Sequence, residues 1–220
     1  VIFKDRIRGS VAIKIIPLVF LVFMLVFENA LYINILTIFS KPFSETAEGL
    51  PLHLCSTSAI LVIVYWITRK KIVLEILFYQ GIVGAMITFI FPDTPSTPLM
   101  YDYYRFFFSH SILFLTPIYM YVIEGFRPNK RTLKIAFIAT HVWGVLALIV
   151  NLIYHTHFMY ILPDNTQNLY AFLPIHNAIP LFAQFPMVIV FGEILLVVVY
   201  FGVYYLFKFI NSKAEKVLKK

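Results

Sequence analysis

Apolar runs of about 20 residues, the length a helix needs to cross a bilayer, recur from one end of this chain to the other. They fall at Ile15–Phe39, Leu50–Thr68, Ile72–Phe91, Phe106–Ile123, Leu133–Tyr154 and Pro186–Phe207. Lipid offers no hydrogen-bond partner to an open backbone, so each run has to close its own bonds as a helix. Only 13% of the 220 residues are charged, against roughly a quarter in a soluble domain. The expected fold is therefore all-α, a single six-helix transmembrane domain. The first run follows basic residues as a signal peptide would. Its length, and the polar Glu28, Asn29 and Asn34 inside it, read instead as a span.

Charge placement orients the bundle. Lys4, Arg6, Arg8 and Lys14 precede the first run, and Arg69, Lys70 and Lys71 follow the second. Arg127, Lys130, Arg131 and Lys134 follow the fourth, and Lys208, Lys213, Lys216, Lys219 and Lys220 follow the sixth. Only Lys41 and Arg105 lie on the opposite side. Short loops rich in Lys and Arg stay in the cytoplasm, which predicts both termini inside and a multi-pass protein of the plasma membrane. The net charge of +7 is then a topology signal and calls for no nucleic-acid partner.

The outer segment 155–185 contains no Lys or Arg and is broken by Pro163, Pro174 and Pro180. It reads either as a re-entrant or interfacial flap over the outer face or as a plain surface loop. The basic tail 208–220 suits the anionic inner leaflet.

Ionisable groups inside a bilayer are costly, which makes each a functional candidate. Depth sorts them at about 1.5 Å per helical residue. Cys55, the single cysteine, lies near the outer end of the second run, His110 near that of the fourth and Asn151 near that of the fifth. A thiol beside a base becomes a nucleophile, and an amide can orient the base. Cys55 as nucleophile, His110 as general base and Asn151 as orienter are chemically complete for acyl transfer. The plainer readings are an inert buried thiol and interhelical hydrogen bonds. His53 lies two residues from Cys55, which puts the two on roughly opposite faces of a helix. Arg105 suits a lipid phosphate. His141, Glu193 and Glu28 sit deeper, where a small-solute carrier would hold its substrate, and Glu75 is placed to pair with the basic inner loops. His155, His157 and His176 have no tight ligand spacing, so no metal and no cofactor are expected.

The strings Leu52-His53-Leu54-Cys55, Tyr104-Arg105-Phe106-Phe107-Phe108-Ser109-His110, Val150-Asn151-Leu152 and Thr156-His157-Phe158-Met159 resemble the YwaF family of bacterial integral membrane proteins. That family is related to eukaryotic transmembrane protein 164, regarded as a phospholipid acyltransferase. More distantly it is similar to the androgen-induced-gene hydrolases, which use a Thr–His pair in a six-helix fold. The resemblance covers roughly Gly49 to Phe207. It implies Cys55 as nucleophile and His110 as its base, with membrane lipids as partners. His157 departs from it, standing where the pattern has an asparagine. The expected function is a membrane-embedded lipid acyltransferase or acyl hydrolase. The alternative is a small-solute transporter or substrate-binding membrane subunit built on Glu28, His141 and Glu193.

Overall fold

Five of the six apolar runs coincide with α-helices: α1 (Leu54–Thr68), α2 (Lys71–Ile90), α3 (Tyr101–Val122), α4 (Lys130–Tyr154) and α5 (Met187–Leu218). A 3₁₀ turn, Phe158–Tyr160, follows α4. The computed structural model describes residues 50–90, 99–161 and 187–218, with isolated positions before residue 50 and within 91–98. The first apolar run with Glu28, and the outer segment beyond residue 161, lie outside the described residues. Among the described residues, three helices are long and apolar enough to cross a membrane, at Lys71–Ile90, Lys130–Tyr154 and Ile189–Lys213. The stretch after Phe207, read as a tail, continues α5 to Leu218.

Helix α2 is the centre of the bundle and packs against α1, α3, α4 and α5. It is buried almost all round from Val73 to Val83, as a helix that is apolar on every face must be. Aromatic rings fasten it to its neighbours. Phe78 meets Phe207 at 4.9 Å and Phe126 at 5.3 Å, and Tyr79 meets Tyr200 at 5.3 Å.

One close approach depends on a missing side chain. Pro117 lies inside α3 and has no N–H to offer the Leu113 carbonyl one turn back. A Cβ on Gly81 would stand 2.8 Å from that carbonyl oxygen and 3.1 Å from Pro117 Cγ. Glycine is the residue that lets α2 approach α3 this closely. Gly81→Ala is expected to lose about 1–3 kcal/mol through overpacking against a backbone atom that cannot swing away. Thermal unfolding of the detergent-purified variant measures this.

The ends of the helices fix their alternation. Arg69 closes α1 in the left-handed conformation (φ 53°), stacks over Trp66 at 4.1 Å and pairs with Glu124 after α3 at 3.4 Å. Tyr65 donates to the same carboxylate at 3.1 Å. Arg127 donates to the Tyr121 and Phe126 carbonyls, satisfying the end of α3. Asn129 and Thr132 form a capping box that opens α4. Tyr121 donates to Asn211 near the end of α5 at 2.6 Å. These contacts bring the basic segments after α1, after α3 and late in α5 to one end of the bundle. Glu75 is buried there, 4.0 Å from Arg131 in the first turn of α4. The opposite end carries the start of α1, the start of α3 and the turn after α4.

Candidate active site

At that opposite end a cavity of about 460 Å³ opens between all five helices. Its walls are mostly apolar, and α4 contributes a stripe of Thr140, His141, Gly144, Val145 and Leu148. That i, i+3, i+4, i+7 spacing is one face of a helix. Among its polar lining residues are His53, Cys55, His110, His141 and Glu193. Cys55, His110, His141 and Glu193, singled out by their depth, and His53, set aside on helix-face grounds, thus line one chamber. Arg105 is half-buried and stands outside this lining.

Cys55 is the second residue of α1, two positions after the N-cap His53. The first intrahelical bond runs from the Thr57 amide to the His53 carbonyl at 3.0 Å. The amides of Leu54, Cys55 and Ser56 therefore have no intrahelical acceptor, and the His53 side chain makes no cap bond to them. Negative charge arising beside Cys55 would meet the first-turn N–H groups and the positive end of the helix dipole. Thr57 and Ser58 turn their hydroxyls back onto the Leu54 carbonyl at 2.9 and 2.8 Å. The backbone of the first turn, not the Thr57 hydroxyl, is the usable donor set.

His110 is buried on α3. Its Nδ1–H donates to the Phe106 carbonyl one turn back at 2.7 Å, which leaves Nε2 as the basic nitrogen of the neutral ring. The ring also lies against Phe106, centroid to centroid 4.6 Å. His53 adopts an extended backbone (φ −68°, ψ 149°). The argument from opposite helix faces consequently fails, and both His53 and Cys55 reach the cavity. His53 Nδ1 accepts from the Met159 amide at 3.4 Å, and its ring meets Phe158 edge-on at 5.2 Å.

Asn151 does something other than orient His110. It is fully buried, and its Oδ1 accepts from Thr156 Oγ1 at 2.8 Å and from the Phe158 amide at 2.9 Å. Its Nδ2 donates to the Phe158 carbonyl at 2.9 Å. These three bonds all go to the turn after α4, where His155 (φ 54°) and Met159 (φ 55°) are left-handed. Asn151 holds that turn closed, and the turn seats Phe158 and Met159 over His53. The Phe106 carbonyl is what orients His110. His157 caps the 3₁₀ turn, so the departure from the family pattern falls in this structural element.

Deeper in the cavity, His141 Nε2 lies 2.8 Å from Glu193 Oε2, and His141 Nδ1–H donates to the Phe137 carbonyl at 2.8 Å. Beside them Gln80 Nε2 donates to Thr140 Oγ1 at 3.0 Å, and Thr140 shares a 2.7 Å bond with the Tyr200 hydroxyl. This buried link ties α2, α4 and α5 together. Sequence reading passes it over because a Gln and a Thr within apolar runs look like ordinary interhelical bonds.

No curated protein and no solved structure matches the chain. The model of the TMEM164 family matches it over residues 1–205.

Proposed function

The chain belongs to the TMEM164 family and is a helical membrane protein. From that premise we propose that it is a lipid acyltransferase or acyl hydrolase working through Cys55 and His110. One observation carries the reading: Cys55 and His110 line the same apolar-walled cavity, with the thiol on the first turn of a helix whose leading amides lack side-chain caps. An acyl chain suits the walls and an ester suits the polar end.

In this reading His110 Nε2 takes the thiol proton as the Cys55 sulfur attacks the ester carbonyl. The first-turn amides of α1 stabilise the tetrahedral oxyanion. Collapse breaks the C–O bond, and His110 returns its proton to the departing alcohol. The acyl group is left as a thioester on Cys55. A lipid hydroxyl or water, deprotonated by His110, then attacks the thioester, and the sulfur recovers its proton as the new ester or free acid leaves. Arg105 would hold a headgroup phosphate near the rim. The six-span arrangement, with both termini in the cytoplasm of a plasma-membrane protein, would place this chemistry at the outer leaflet.

Incubating the purified protein with phospholipid and measuring its intact mass tests the proposal. A mass increase of one acyl group, released by hydroxylamine and missing in Cys55→Ala, supports it. A carrier reading draws on the His141–Glu193 pair instead, and it requires a Cys55→Ala protein that still moves its solute at the wild-type rate.

A further inference from the structure

The mechanism leaves the His141–Glu193 pair unused, although both residues line the cavity and 36 and 45% of their side chains stays accessible. His141 lies about 20 Å along α4 from Tyr154, far below the turn that covers His53. The pair is thus a polar group set in the mostly apolar wall of the cavity.

Its hydrogen-bonding capacity is nearly exhausted. Both ring nitrogens of His141 are engaged, one with Phe137 and one with Glu193 Oε2. Thr140 next door is already bonded to Gln80 and Tyr200. What the pair still offers is the second carboxylate oxygen, Glu193 Oε1, which accepts and cannot donate while ionised. The adjacent space is open, since a Cβ on Gly144, on the His141 side of α4, would meet nothing within 4 Å.

We propose that Glu193, held by His141, is a binding subsite for a hydroxyl carried on the hydrocarbon chain of the cavity's ligand. The pair is neutral as a whole, so an uncharged donor suits it better than a cation would. The mostly apolar walls around the pair make the ligand an amphiphile whose hydroxyl sits along a hydrocarbon chain, such as a hydroxylated acyl chain. The proposal rests on the cavity being a lipid chamber and is independent of the Cys55 chemistry.

Competition binding of methyl ricinoleate and methyl oleate, which differ by one chain hydroxyl, to the detergent-purified full chain tests it. Wild type is expected to bind the hydroxylated ester about tenfold more tightly, the worth of one hydrogen bond to a charged acceptor. Cys55→Ala keeps that preference whether or not Cys55 is a nucleophile. Glu193→Leu loses it, and Gly144→Leu, which fills the space and leaves the pair intact, loses it too. Equal affinities in wild type, or a preference that survives Glu193→Leu, would overturn the proposal.

Discussion

Cys55→Ala is expected to abolish thioester formation and to lower acyl transfer from phospholipid about a thousandfold or more. Removing the nucleophile removes the whole covalent route and leaves only what binding and the oxyanion donors supply to direct attack. His110→Ala is expected to fall about 100- to 10,000-fold, the range for loss of a positioned general base. The two losses should not add, because without the thiol the covalent route that His110 serves is already closed. Steady-state rates of the two single variants and the double variant, each reconstituted at equal protein, measure this. A double variant slower than Cys55→Ala by the full factor of His110→Ala would mean the residues act in separate steps.

Asn151→Ala should be the most destabilising single change in the region. The truncation leaves the Phe158 amide and carbonyl and the Thr156 hydroxyl without their partner inside a buried turn. Unsatisfied buried groups cost about 1–3 kcal/mol each, so a total near 3 kcal/mol is a moderate expectation once the turn relaxes. For a chain of this length that corresponds to a fall in Tm of roughly 6–12 °C. Cys55→Ala, which removes one sulfur from a cavity wall, should leave Tm within about 2 °C of wild type. Differential scanning in one detergent compares the pair. An Asn151→Ala protein with unchanged Tm and no activity would return Asn151 to the role of orienter.

Length and hydropathy were enough to anticipate α1 to α5, because period and run length are properties of the chain itself. The boundaries moved where the sequence changes character gradually. Helix α3 begins at Tyr101, ahead of the apolar run at Phe106, because a Tyr-rich interfacial turn is still helical. Helix α5 extends through Lys208 and Lys213 because Lys, Ala, Glu and Leu are good helix formers outside lipid as well.

Depth brought Cys55 and His110 to the same level, and they do share a cavity. Depth carries no rotation about the helix axis, however, and rotation decides who meets whom. Asn151 shows this well. It continues the cavity stripe of α4 one turn beyond Leu148, yet Thr156 and Phe158 fold over it and claim every bond. That fold-back depends on two left-handed residues, His155 and Met159, neither of them glycine, so the turn left no mark in the sequence. The uncapped amides of α1 were equally hidden. They follow from His53 being an extended N-cap without a side-chain bond, which only the backbone reveals.

The most direct test of the Cys55–His110 pairing is the rate of Cys55 alkylation by N-ethylmaleimide in the purified protein near neutral pH, wild type against His110→Ala. With one cysteine in the chain, every labelling event reports on this site. The account predicts rapid labelling in wild type that slows at least about tenfold in the variant, as the thiolate loses its base. Equal rates in the two proteins would contradict it and leave Cys55 as an inert wall of the cavity.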